Sequence, residues 1–174
     1  MVKLSDGLFL REVRKVAEQF PDVQLEELIV DATAAALIRR PDSLDVIVTT
    51  NMFGDILSDE ASELCGSLGL GGAVSAGDGI CVAQAQHGSA PDIAGQNVAN
   101  PTSLIMSASM LLHWRGQRHE NARVVGAAQR IEVAVEQVLE VPASRTRDVG
   151  GTQDTSQFCA SVIAALQSQP AAAR

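Results

Sequence analysis

The sequence predicts an α/β protein with parallel or mixed sheets flanked by helices, and three observations carry that prediction. Apolar residues recur at helical spacing in several long stretches. Two short apolar, β-branched runs, 26–30 and 45–50, each lead directly into a helical pattern. A glycine-dense stretch after Cys65 then separates this part from a second, more helical one. Strand–helix–strand–helix order is what parallel pairing through crossover helices requires.

The elements follow in order. In 8–20, Phe9, Val13, Val16 and Phe20 mark one face of an amphipathic helix that Pro21 ends. EELIV (26–30) reads as a strand, and Asp31 as the cap of a helix closed by Pro41. DVIVTT (45–50) is nearly continuous and β-branched, the pattern of a strand buried on both faces. Asn51 leads into a helix from about Phe53 to Cys65. From Gly66 to Gly79 the glycines exclude regular helix and predict loops around a short strand. ICVAQAQ (80–86) is a further strand, and 87–101 a long irregular segment. Three helices come last: 102–114, 119–141 with Val124, Ala128, Ile131, Val135 and Val138 on one face, and 152–166 capped by Thr152. The tail from Gln167 is expected to fray.

Composition narrows the function. The 174 residues are 46% hydrophobic and 20% charged, enough apolar material for a packed core. Aromatics at 3%, with no Tyr, leave few stacking platforms for single-stranded nucleic acid. A net charge of −8 disfavours non-specific binding to nucleic acid or to anionic membrane. Cys65, Cys81 and Cys159 have neither disulfide nor zinc spacing and are expected to be buried and reduced. No run approaches the ~18 apolar residues of a membrane span, and no leader pattern opens the sequence, so a cytoplasmic protein is expected.

Two constellations could carry chemistry. Asp55 and Asp59 stand four residues apart, which stacks their carboxylates on one helical face. Asp55 in a first turn is favoured by the helix dipole and Asp59 could be a solvated surface acid; equally, both could hold a hard divalent cation, Mg2+ or Mn2+, beyond the end of a strand. Asp31, also after a predicted strand, would join them, although capping explains it as well. The second is HGSAPDIAGQNVANP (87–101), whose small residues let backbone amides approach a ligand. His87 offers a ring for stacking and Asp92 could accept from ribose hydroxyls. There is no GxGxxG, so a Rossmann unit is excluded and the segment reads as a turn-rich loop or a ligand loop.

NMFGDILSDEASELCGSLGL (51–70), followed by HGSAPDIAGQNVANP, closely resembles the β-decarboxylating dehydrogenase family of isopropylmalate, isocitrate, homoisocitrate and tartrate dehydrogenases. The resemblance runs from KLSDGLF through VGGT and implies a metal- and NAD(P)-dependent oxidation of a 2-hydroxy acid with loss of the β-carboxylate. It implies that Asp31, Asp55 and Asp59 are the metal's carboxylates, with Asp31 given across the interface of a homodimer. The cation would offset the repulsion between Asp55 and Asp59. It further implies that 87–100 is the adenosine site: His87 at the adenine, Gly88, Ser89 and Ala90 at the phosphates and ribose, Asp92 with Ile93 at the ribose, and Asn100 hydrogen-bonded to the adenine. An acid at Asp92 repels a 2′-phosphate, so NAD is expected over NADP. Ser89 favours the isopropylmalate branch slightly; isocitrate and tartrate are the alternatives.

The sequence also departs from the family pattern. Gln84 stands where an acid usually precedes the loop histidine, and GGAVSAG (71–77) replaces the usual segment after GSLGL. Family members are roughly twice as long, and this chain resembles their C-terminal half. The family's catalytic lysine and tyrosine have no match here, and Lys3 does not take that role. Residues 1–66 would be part of the smaller, dimerising and metal-binding domain, and 67–174 part of the NAD-binding domain. Some strands would then lack sheet neighbours. The isolated chain is expected to be inactive, and a non-catalytic nucleotide-binding or dimerising subunit is the alternative from another class.

Overall fold

The computed structural model of the chain describes residues 4–170, which divide between Ala61 and Ser62 into two units. Lys3 and the last four residues of the tail lie outside the described residues.

The first unit is built from helices α1 (Ser5–Ala17), α2 (Val30–Arg39) and the greater part of α3 (Asn51–Leu64). Helix α1 buries no residue completely; Phe9 and Val13 are half-buried, while Val16 and Phe20 are exposed. It ends at Ala17, four residues before Pro21. Arg14 grips Glu27 with two parallel bonds, Nε to Oε1 at 2.5 Å and an Nη to Oε2 at 2.6 Å. That charge-assisted fork holds the extended segment ahead of α2. In α2 and in the part of α3 that belongs to this unit, the buried residues are Thr33, Ala36, Leu37 and Leu57. Asp31 is inside the first turn of α2 and is not its cap, because the helix already begins at Val30 with Ile29 as N-cap.

The two strands expected at 26–30 and 45–50 do not form: neither run pairs within a sheet of the described residues, and Val30 already belongs to α2. A strand exists through its hydrogen-bonded neighbour, and none is supplied to these segments here. Val46 and Val48 are accordingly 80% and 65% exposed, although their composition suits a strand covered on both faces.

The second unit opens with the last turn of α3 and a 3-10 turn at Leu68–Leu70. One antiparallel hairpin follows, β1 (Gly72–Ala76) and β2 (Cys81–Ala85), in the register Gly72 to Ala85 and Ala76 to Cys81. No parallel sheet forms among the described residues; the parallel contact between Thr146 and Gln153 is a single bridge. The hairpin lies on α4 (Thr102–Arg118), which packs on α5 (Ala122–Glu140), which packs on α6 (Thr155–Ser168). The core is Ala134, Val135 and Val138 of α5 against Phe158 and Val162 of α6. Helix α4 runs through Gly116, because the missing Cβ there is what lets the start of α5 approach: a Cβ would come within 2.7 Å of Val125. Asn121 caps α5 by accepting from the Arg123 and Val124 amides. The cap of α6 is Asp154, in a reciprocal capping box with Gln157, and Thr152 lies ahead of it. Gln167 and Ser168 belong to α6 and are not frayed.

Cys65 is exposed, and Cys81 and Cys159 are half-buried; all three are free, so the expectation of burial is corrected. Among the described residues no helix is long and apolar enough to cross a membrane.

Candidate functional site

The acidic pair sits where the sequence places it. Asp55 and Asp59 are both on α3, one turn apart and exposed. The Asn51 amide donates to Asp55 Oδ2 at 3.3 Å, and Gly54 beside it leaves the turn uncrowded against Thr49. Asp31 accepts from the Ala32 amide at 2.8 Å, in a first turn that the helix dipole favours for an acid. Among the described residues Asp31 is not brought together with Asp55 and Asp59 into a three-ligand group. The donor set of Asp55 and Asp59 is all carboxylate oxygen, which fits a hard divalent cation that completes its shell from water or other oxygens.

The 87–101 segment is held in a tight, partly left-handed path. Ala90, Gly95 and Asn97 have φ of 41°, 76° and 55°. An alanine in that region carries about 1–2 kcal/mol of strain, and such strain concentrates at ligand clamps. Pro91–Ile93 forms a 3-10 turn that presents Asp92 to solvent, and the Gln96 amide donates to the Asp92 carbonyl at 2.7 Å. His87, Gly88, Ser89, Ala90, Asp92 and Ile93 are all exposed along one continuous stretch. His87 Nδ1 lies 2.9 Å from the Gly88 carbonyl. A carbonyl only accepts, so in this contact Nδ1 is the donor. The end of the loop is anchored on α6: the Asn97 side chain accepts from the Ser156 hydroxyl at 2.9 Å, and Thr155 donates to the Asn97 and Ala99 carbonyls.

Asn100 differs from the rest of the loop in being buried, at 8% exposure. Its Nδ2 donates to Asp148 Oδ2 at 2.9 Å and its Oδ1 accepts from the Thr102 amide at 3.0 Å. The Ser67 hydroxyl donates to the same Asp148 oxygen at 2.5 Å and accepts from the Gly69 amide at 3.0 Å. A Cβ on Gly69 would stand 2.7 Å from Asn100 Cβ, so the glycine of the GSLGL motif is the seat of this asparagine. Partial burial pushes the Asp148 carboxyl up, but the Ser67 hydroxyl and the further donors around it more than offset that and hold it below the usual aspartate range.

Asp148 and Ser67 were not singled out by sequence. RTRDVGG reads as turn chemistry, and the partners of Asp148 stand 48 and 81 residues away, a separation no local pattern reports. Asn97 had a signal: asparagine tolerates the left-handed region better than other residues with a side chain.

Residues 1–165 match the family model described as isocitrate/isopropylmalate dehydrogenase. The chain belongs to this family. It is 47% identical over 168 residues to an isocitrate/homoisocitrate dehydrogenase of Thermus thermophilus, covering 97% of this chain and 48% of that protein. It is 41% identical to a 3-isopropylmalate/3-methylmalate dehydrogenase of Methanocaldococcus jannaschii, over 93% of this chain and 46% of the relative. The crystal structure of isocitrate dehydrogenase from Methylococcus capsulatus superposes with a TM-score of 0.87 at 38% identity, covering 95% of this chain and 48% of that one. The chain thus spans about half the length of the relatives it matches, and its helix-rich fold with a small sheet is part of their α/β fold.

Proposed function

We propose that the chain carries the NAD-binding loop and two of the metal carboxylates of a dehydrogenase acting on a 2-hydroxy diacid or triacid. The reaction passes a hydride from the carbinol carbon to NAD, loses the hydroxyl proton, releases the carboxylate β to the new ketone as CO2, and returns a proton to the carbon of the enolate left behind. The observation that supports this best is the coexistence, in a chain of the isocitrate/isopropylmalate family, of a stacked Asp55–Asp59 pair on α3 and a strained, exposed loop ending in a buried Asn100. A 3-isopropylmalate-like substrate is favoured, with isocitrate and tartrate as alternatives.

The residues of this chain would act as follows. Asp55 and Asp59 hold the divalent cation, Mg2+ or Mn2+, with Asp31 of a second copy completing the set. That cation, when bound, supplies the positive charge that polarises the substrate oxygen. Asp92, exposed on its 3-10 turn, accepts from the two ribose hydroxyls and repels a 2′-phosphate, which selects NAD. His87 lies against the adenine. Gly88, Ser89 and Ala90 leave backbone open toward the phosphates, and Ile93 packs beside the ribose. Asn100 keeps one amide hydrogen and one carbonyl lone pair beyond its internal bonds, and these are what it offers the adenine. With three free cysteines, a reducing compartment such as the cytoplasm suits the protein.

That Asp31 is not brought together with Asp55 and Asp59 among the described residues favours a second reading, a non-catalytic nucleotide-binding or dimerising subunit. One experiment separates them. The purified chain is titrated with NAD by calorimetry, then mixed with Mn2+ and each of 3-isopropylmalate, isocitrate and tartrate while NADH is followed. Binding without turnover supports the cofactor role and places the remaining catalytic groups outside these residues. Turnover removes the second reading. Absence of NAD binding defeats the adenosine assignment.

A further inference from the structure

We infer that Asp148 is a positioning residue that fixes which way the Asn100 side-chain amide faces, and that it thereby sets the order of donor and acceptor at the base end of the nucleotide site. The second half of this inference rests on the adenosine reading of 87–101; the first half does not.

The argument starts from what each partner can do. An ionised carboxylate only accepts, and a backbone N–H only donates. Asn100 lies between one of each: Asp148 Oδ2 at 2.9 Å from its nitrogen and the Thr102 amide at 3.0 Å from its oxygen. Turning the amide by half a revolution would set oxygen against carboxylate and NH2 against N–H, losing both bonds and adding two repulsions. One orientation is therefore selected from both ends. Gly69 pressed against the Asn100 Cβ restricts the same side chain sterically.

The chemistry of position 148 matters more than its shape. The Ser67 hydroxyl and the Asn100 amide both donate to Asp148, so what this position needs is an acceptor. An asparagine would satisfy the same hydroxyl with less desolvation, but its amide can donate as well as accept and would tolerate either orientation of Asn100. The order is held from both ends only while position 148 is an acceptor-only group; with asparagine there, the Thr102 amide is left to select it alone. The spare N–H and lone pair of Asn100 then point in fixed directions, so the residue can tell the amino edge of adenine from the carbonyl edge of hypoxanthine.

The test compares NAD with its hypoxanthine analogue, titrated by calorimetry into the wild-type chain, Asp148→Asn and Ser67→Ala, with circular dichroism to check folding. Wild type should favour the adenine form by about fivefold to tenfold, the scale of one hydrogen bond. Asp148→Asn should lose part of that preference, because the Thr102 amide remains as the second constraint, and Ser67→Ala should keep it, because Ser67 makes no hydrogen bond to Asn100. Equal preference in wild type and Asp148→Asn overturns the inference. The side-chain amide of Asn100 gives a second readout by NMR: its protons should exchange slowly with solvent in wild type, where Asp148 accepts from them, and faster in Asp148→Asn. Fast exchange with solvent in wild type overturns the orientation claim even if Asp148→Asn does not fold. If wild type binds neither dinucleotide, the adenosine reading fails, and the amide signal alone decides whether Asp148 sets Asn100.

Discussion

The Ser107 hydroxyl accepts from the Ala73 amide at 2.9 Å and lies 2.7 Å from the Gln84 carbonyl, so one buried oxygen of α4 touches both members of a register pair across the β1–β2 hairpin. Ser103, one turn earlier on the same face, repeats the arrangement by accepting from the Gln86 amide and donating to the Gly71 carbonyl. The hairpin is thus held on α4 by hydroxyls, and the small serines let its backbone come close. Ser107→Ala removes the acceptor with little change of volume. Leaving the Ala73 N–H unpaired should cost about 1–3 kcal/mol. A urea melt followed by circular dichroism should show a lower midpoint at unchanged slope.

Phe158 is fully buried between α5 and α6 and is the largest side chain so enclosed. Phe158→Ala should destabilise the second unit by about 3–5 kcal/mol, the cost of the lost transfer energy and the cavity together. Phe158→Leu should recover much of this. The check is the same melt, read against the wild type.

Acid should weaken the second unit through Asp148. Its carboxyl titrates below the ordinary aspartate value of about 3.9 because the Ser67 hydroxyl and other donors outweigh partial burial. The unfolded chain therefore takes up the proton first. The stability contributed by this group is complete above the unfolded value and disappears as pH falls through the folded one. Asp148→Asn should flatten that part of the stability-against-pH curve while leaving the neutral-pH end lower than wild type. An identical acid slope in the variant would assign the effect to other carboxylates.

Cofactor choice should follow the charge at position 92. Asp92 is exposed on its turn, so replacement does not disturb a core. Asp92→Lys should weaken NAD binding about tenfold to a hundredfold, the range of hydrogen bonds to a charged group, and bring NADP to comparable or better affinity. Parallel calorimetric titrations with the two dinucleotides decide it. Unchanged preference would remove Asp92 from the ribose.

How much of this was legible depends on whether the signal was local. The helices announce themselves through spacing, and Val135 and Val138 of the predicted face are indeed core. Their ends were misplaced where a cap competed: Asn121 starts α5 three residues after the α4 end at Arg118, and the Asp154–Gln157 box overrides Thr152. The runs 26–30 and 45–50 have strand composition, yet composition cannot supply a hydrogen-bonding neighbour, and without one no strand forms. Position 31 shows the same limit, since an acid in a first turn and an acid at a cap look alike in sequence. Asp148 was illegible because its meaning arises from Ser67 and Asn100, which the chain brings together only on folding.

The metal prediction turns on the separation of Asp31 from the other two acids. Asp55 and Asp59 share a face of α3, but among the described residues Asp31 does not complete a three-ligand group with them in one chain. Two exposed carboxylates alone bind a hard cation weakly, whereas a third from a second copy would couple binding to association. Mn2+ affinity should therefore rise with protein concentration, and Mn2+ should in turn raise the dimer fraction. At about one hundred times its Kd the ion should stabilise the assembled form by about 2.7 kcal/mol. Asp55→Asn, Asp59→Asn and Asp31→Asn should each abolish the stabilisation, and a mixture of Asp31→Asn with Asp55→Asn should restore a fraction of it, because one of the two metal sites in the mixed dimer then carries an intact set. Sedimentation with and without Mn2+ checks the coupling. Metal affinity independent of concentration, and untouched by Asp31→Asn, would confine the site to α3 and take the second copy out of it.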